Sequence, residues 1–94
     1  MNEIVRYSWN KLFESTNIQI PNINGIIDIN KINLITNYQT NYFLKHNEYN
    51  FFGVITLYYF ENKYYLVDGH NLFYVMKKLY QDNGINYNCN VEII

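Results

Sequence analysis

The stretch that decides the fold is VITLYYF-ENK-YYLV-DGHN, residues 54–71. Val54–Phe60 and Tyr64–Val67 are rich in the β-branched and aromatic residues that favour strands. Glu61–Lys63 between them predicts a tight turn, so the three pieces together predict a β-hairpin. Both faces of this hairpin are apolar or aromatic, and we therefore expect both faces to be covered at least in part.

The hairpin is followed by four residues that predict a strand-to-helix turn: Asp68, Gly69, His70 and Asn71. Gly69 permits a sharp turn and a close approach of the backbone to a ligand. We expect a helix from about residue 72 to residue 81, and the free N–H groups at its start suit an anion. Asp68 is placed to cap this helix, with His70 and Asn71 at its mouth.

The segments on either side of this centre predict one more helix and two more strands. Asp28 can cap a helix that runs to about Lys45. Its apolar face would carry Ile32, Ile35, Tyr38, Tyr42 and Phe43. Ile18 and Ile20 before Pro21 predict a short edge strand, because proline cannot donate to a central ladder. Strict alternation from Ile85 to Ile93 predicts a final, half-buried strand.

The N-terminal residues predict an amphipathic helix from Glu3 to Glu14. Its apolar face would carry Ile4, Val5, Trp9, Leu12 and Phe13 at helical spacing. Residues 1–16 would then be a helix added to a core of residues 17–94, within one small domain of the mixed α/β class. Trp9 is expected either to dock this helix on the sheet or to anchor a partner.

Composition limits the class of protein and of partner. The chain has 94 residues, of which 49% are hydrophobic and only 16% charged, and this composition is not that of a disordered chain. No apolar run approaches the roughly 18 residues of a membrane span, and no secretory signal is evident. We expect a cytoplasmic protein without a membrane partner. The crowding of Asn, Ile, Tyr, Phe and Lys suggests an AT-rich genome, such as that of a large DNA virus, a phage or a low-GC bacterium.

Charge and cysteine content exclude further classes. The net charge is −1, and Arg6 is the only arginine, so we do not expect this chain alone to bind nucleic acid without sequence preference. Cys89 is the only cysteine, which excludes an internal disulfide and a zinc site built on cysteines. With only His46 and His70 besides, we expect no metal site.

The segment Tyr65–Phe73, YLVDGHNLF, resembles the ParB/sulfiredoxin-like pattern, in which a strand ends in Asp-Gly-x-(His or Asn)-Arg and a helix follows. The order of predicted elements agrees with that family over residues 17–94. The resemblance implies a ParB/sulfiredoxin-like fold and a turn that holds the phosphates of a nucleotide, ATP or CTP with Mg²⁺. By position, Gly69 and His70 would offer backbone N–H groups and Asn71 a side-chain donor.

The chain departs from this pattern at Leu72, which occupies the position of the family's arginine. Leucine has no donor, and a lost charge-assisted bond costs about 1.5–3 kcal/mol. His70 occupies the position of the nucleophilic cysteine of sulfiredoxin. We therefore expect a non-catalytic protein-interaction or assembly module, such as an accessory of a nucleoprotein complex. The alternatives are a nucleotide-binding domain or enzyme in which Lys45 or Lys77 replaces the arginine, and a DNA-binding accessory protein.

Five aromatic residues are the candidates for a protein interface: Trp9, Tyr58, Tyr59, Tyr64 and Tyr65. Tyrosine and tryptophan are enriched at such interfaces. The tyrosines are also compatible with a platform on which bases stack, or with ordinary strand packing. The expected partner is a protein, either a second copy or another subunit, with nucleic acid contacted only indirectly.

Overall fold

The computed structural model describes residues 3–15, 17–20, 27–51, 53–84 and 86–94. The strands are β1 (Glu3–Ser8), β2 (Ile18–Gln19), β3 (Val54–Phe60), β4 (Lys63–Asp68) and β5 (Asn88–Ile93). The α-helices are α1 (Ile29–His46) and α2 (His70–Asn83), and a five-residue π-helix covers Lys11–Ser15. These strands form one sheet in the order β1-β5-β3-β4-β2, with both parallel and antiparallel pairs. The mixed α/β class is confirmed.

The predicted hairpin is confirmed as the centre of the sheet. β3 and β4 pair antiparallel up to Phe60 and Lys63. Glu61 and Asn62, the two residues of the turn, both have positive φ angles of 48° and 64°. A two-residue hairpin turn needs this backbone because its twist then matches that of the strands.

The short edge strand and the first helix are confirmed as well. β2 pairs parallel with β4 at the edge of the sheet, through Ile18 and Gln19. α1 begins after Asp28, whose Oδ1 accepts hydrogen bonds from the N–H groups of Asn30 at 3.0 Å and Lys31 at 3.2 Å. Two residues named for these predictions, Pro21 and Ile85, lie outside the described residues.

The predicted N-terminal helix is wrong over most of its length. Glu3–Ser8 is an edge strand that pairs antiparallel with β5, and helical backbone is confined to residues 9–15. Ile4 and Val5 are β-branched, which favours the extended backbone. The partner that stabilises this strand is the edge of β5, which lies 80 to 90 residues away in sequence.

The core lies between one face of the sheet and the helices. The sheet contributes Ile55, Leu57, Leu66 and Val91, and α2 contributes Phe73, Val75, Met76 and Leu79. In α1 the expected apolar face is only partly right, because Tyr38 is exposed while Thr36 and Gln39 are buried. The hydroxyl of Thr36 donates to the Ile32 carbonyl at 2.7 Å, which satisfies it.

The opposite face of the hairpin is only partly covered by described residues, with Tyr58 44%, Phe60 49% and Val67 47% exposed, in line with the expectation that both faces are covered at least in part. Side chains alternate along a strand, and Tyr58 and Phe60 therefore point away from the buried Ile55 and Leu57. We call this surface the open face and define it by six apolar residues that share it by register: Ile4, Tyr58, Phe60, Tyr65, Val67 and Ile94. Among the described residues, no helix is long and apolar enough to cross a membrane.

Candidate functional site

The turn between β4 and α2 has the sharp backbone that the sequence predicts. Gly69 has φ 83° and ψ 28°, in the left-handed region that favours glycine, and it is the N-cap of α2. Its carbonyl accepts the first helical hydrogen bond, from the N–H of Phe73 at 2.8 Å. The backbone also passes close to β3, because a methyl group on Gly69 would lie 3.1 Å from the Val54 carbonyl oxygen.

Asp68 does not cap α2, so that prediction is wrong. Its Oδ1 accepts a hydrogen bond from the N–H of the adjacent Gly69 at 2.9 Å, and α2 has no side-chain cap. Since Gly69 occupies the N-cap position, the carboxylate of Asp68 lies one residue too early to bond the N–H groups of the first turn. The carboxylate is exposed at the rim of the turn.

The side chain of His70 does not project at the start of the helix as predicted. It is the first residue of α2 and only 4% exposed, and its Nε2 is buried without a hydrogen-bond partner. A buried nitrogen without a partner is costly, by about 1–3 kcal/mol. The described structure therefore does not present the His70 side chain to a phosphate or a substrate.

Asn71 joins the starts of the two helices. Its Oδ1 accepts a hydrogen bond from the N–H of Asp28 at 3.1 Å, across 43 residues of sequence. This contact occupies the Asn71 side-chain oxygen, while Asp68 leaves one carboxylate beside the start of α2. That carboxylate repels an incoming anion, which weakens the case for a phosphate site there.

Leu72 lies where the sequence pattern leads one to expect an arginine, and the chain's only arginine lies nearby. Leu72 and Arg6 line the same small cavity of ≈ 90 Å³, together with Met76 and Cys89. Arg6 comes from β1, which β5 holds beside the start of β3. The sequence pattern did not predict that Arg6 and Leu72 lie close together, because it placed Arg6 in a helix. The only feature of the sequence that singles out Arg6 is that it is the one arginine of the chain.

The lysines proposed as substitutes for the arginine are less well placed. Lys45 lies near the far end of α1, whose 18 residues span about 27 Å from the turn at Asp28. Lys77 lies seven residues after the first residue of α2, or about 10 Å along the helix.

The candidate interface residues divide into three groups. Trp9 is buried in the core with 1% exposure, so its assignment to an interface is wrong. Tyr58 and Tyr65 pair across the hairpin on the open face. Tyr59 and Tyr64 pair on the opposite face with ring centroids 5.0 Å apart, and the Tyr59 hydroxyl donates to Asn62 at 3.0 Å.

Cys89 is a half-buried thiol, and we expect it to be unreactive near neutral pH. Burial raises its pKa from 9.0 to about 11, against a smaller lowering by the charge of Arg6. At pH 8 only about one thousandth of the thiol is then ionised. Iodoacetamide should modify Cys89 much more slowly in the folded protein than in the urea-unfolded protein, and equal rates would contradict this.

The same shift has a consequence for stability. The folded state holds the thiol proton more tightly than the unfolded state. The protonated thiol therefore makes its full contribution to the free energy of unfolding below pH 9.0, and this contribution is lost as the pH rises to about 11. A Cys89→Ser variant should lose less stability than the wild type over that interval, measured by urea unfolding.

No three His, Cys, Asp or Glu side chains of the described ranges cluster in a way that could hold a metal ion. Comparison with known proteins gives no match to a family model, to a curated protein or to a solved structure.

Proposed function

We propose that this chain is a non-catalytic assembly module of the ParB/sulfiredoxin-like type that associates with a second copy through the open face of its sheet. The order of elements from β2 to β5 supports the resemblance, since a short strand, a helix, a hairpin, the Asp-Gly turn, a helix and a strand follow one another as expected. The observation that carries the proposed function is the exposure of the open face.

The open face carries large apolar side chains that are exposed to water in the single chain. Tyr58 is 44% exposed, Phe60 49% and Val67 47%, and all three lie on the central hairpin. Tyr58 and Phe60 lie with their rings nearly parallel, at 13° and 6.1 Å between centroids. Ile4 and Ile94 extend this surface across β1 and the end of β5. Contiguous exposed apolar surface of this kind marks interaction sites in proteins.

The size of the open face indicates a weak, concentration-dependent contact. The six residues lie on or beside four strands, and four strands about 4.8 Å apart, with six residues rising about 3.3 Å each, give a face of about 14 Å by 20 Å. That area is at the lower end of the roughly 300–600 Å² of the largest patch of an ordinary monomer, and well below the roughly 800 Å² per partner of a stable complex.

The charge of the open face fits a second copy of the same chain. By register the charged residues Arg6, Lys63 and Glu92 lie on the same side of the sheet as the apolar residues, and Glu92 accepts a hydrogen bond from the Thr56 hydroxyl at 3.4 Å. A two-fold axis can therefore bring the acidic residue of one copy toward a basic residue of the other while the apolar residues meet. With a net charge of −1 on each chain, long-range repulsion between copies is small.

The contacts of the β4–α2 turn support a non-catalytic role. The Asn71 side-chain oxygen is engaged with Asp28, His70 is buried, and the carboxylate of Asp68 faces the start of the helix. The turn thus serves to hold α1, α2 and β4 together. The nucleotide and DNA alternatives remain predictions from the sequence.

Sedimentation equilibrium over a wide range of concentration tests the proposed function. We expect the wild-type mass to rise from 11.4 kDa toward twice that value as the concentration increases. Tyr58→Asp places a charge in the apolar contact and should weaken self-association by at least about tenfold, which corresponds to ~1.4 kcal/mol.

The matched control is Tyr38→Asp, which changes a tyrosine that is somewhat more exposed, at 55% against 44%, and lies on α1, away from the open face. It should associate like the wild type. A wild type that stays monomeric at every concentration, or an equal effect of the two variants, would refute assembly through the open face.

A further inference from the structure

A second, larger cavity of ≈ 420 Å³ opens at the end of the sheet where β5 begins. Its volume lies in the range of about 300–1,000 Å³ that small-molecule sites occupy. Four of its lining residues are aromatic: Trp9, Tyr49, Phe51 and Tyr87. The cavity lies away from the β4–α2 turn, and neither Tyr58 nor Phe60 of the open face lines it.

The aromatic wall of the cavity is held in place by its own contacts. The ring centroid of Tyr49 lies 5.6 Å from that of Trp9 and 5.1 Å from that of Tyr87. The loop that carries Tyr49 and Phe51 is fixed by the buried Gln39, whose amide donates to the Asn50 carbonyl and accepts from the Asn50 N–H, both at 2.9 Å. The wall therefore needs no ligand to form, which lowers the cost of binding one.

The cavity also has one charge of each sign. Arg6 and Glu48 both line it, and both are exposed. Neither side chain forms an ion pair with another described residue. A guanidinium is matched by a carboxylate, and a glutamate is matched by an ammonium group. An uncommitted pair of opposite charges beside an aromatic wall is complementary to a zwitterion that has a ring.

The wall contains one donor that has no acceptor. The Nε1 of Trp9 is buried and makes no hydrogen bond. An unpaired buried N–H costs about 1–3 kcal/mol, and an acceptor that reaches it recovers part of this.

We propose that this cavity binds a small aromatic zwitterion, of which a free aromatic amino acid is the simplest. Its ring lies against Tyr49 and Phe51, its carboxylate pairs with Arg6 and its ammonium group pairs with Glu48. The amide groups of Asn86 and Asn88 line the same cavity and are available to the polar end.

The fluorescence of Trp9 measures the binding, because Trp9 is the only tryptophan of the chain and lines the cavity. The wild type is titrated with L-phenylalanine, with phenylacetate, which lacks the ammonium group, and with phenethylamine, which lacks the carboxylate. We expect a saturable change with phenylalanine below about 1 mM, and binding at least about tenfold weaker for each half-ligand. Calorimetric titration of the wild type with the same three ligands gives a second measurement of the affinities.

Two variants assign the charges. Arg6→Gln should weaken phenylalanine and phenylacetate while leaving phenethylamine unchanged, and Glu48→Gln should do the reverse. Lys63→Gln removes a charge at the hairpin turn, outside the cavity, and should leave all three ligands unchanged. The proposal is overturned by the absence of saturation with phenylalanine, by equal affinity for the half-ligands, or by an Arg6→Gln variant that behaves like Lys63→Gln.

Discussion

Replacing Trp9 with alanine is expected to lower the free energy of unfolding by about 3–5 kcal/mol, the usual range for a large aromatic residue in a core. The side chain is only 1% exposed. Its ring centroid lies 5.5–6.5 Å from those of Phe13, Tyr49, Phe51 and Tyr87, so alanine would leave a cavity bordered by four rings. A domain of this size has about 5–14 kcal/mol in total, and the loss is therefore a large part of it.

Urea unfolding followed by circular dichroism measures this effect without the tryptophan signal. Trp9→Phe is the matched control, because it keeps an aromatic ring and removes the unpaired indole N–H. It should lose less stability than Trp9→Ala. If Trp9→Ala instead kept wild-type stability and weakened only self-association, the sequence hypothesis of an interface anchor would replace the core assignment.

The elements that the sequence predicts well are those specified by nearby residues. The hairpin follows from two β-rich runs and a short turn, and α1 follows from Asp28 with the periodicity after it. The first strand could not be predicted in this way. Ile4 and Val5 fit one face of a helix as well as a strand, and a run this short does not separate the two periods. The contact that decides between them is the pairing with β5.

The candidate site shows the same division. The turn at Gly69 was predictable, because its positive φ is a local demand of the backbone. The hydrogen bond from the Asp28 N–H to the Asn71 side chain was not predictable, since it depends on how the starts of the two helices pack together. The meeting of Arg6 with Leu72 depends on the order of the strands, which places β1 beside β5. The spacing of residues in the sequence does not predict either of these long-range contacts.

The hairpin and the helix that follows it meet at Gly69, where Gly69→Ala is expected to destabilise the fold by about 2–5 kcal/mol. A left-handed backbone costs an alanine about 1–2 kcal/mol. The new methyl group would also lie 3.1 Å from the Val54 carbonyl oxygen and 3.3 Å from the Ile55 Cα. These are backbone atoms of β3 that cannot move aside without disturbing the central strand, and such overpacking costs about 1–3 kcal/mol more.

Gly84→Ala separates the two causes. Gly84 has a similar φ of 66°, but a methyl group there would meet nothing within 4 Å. Both substitutions reduce the entropy of the unfolded chain to the same extent, so that effect cancels when they are compared. The difference in unfolding free energy between the two variants therefore measures the contact of the turn with β3. Equal losses would mean that Gly69 is required only for its backbone angle, and that the close approach of the turn to β3 adds nothing to the stability of the fold.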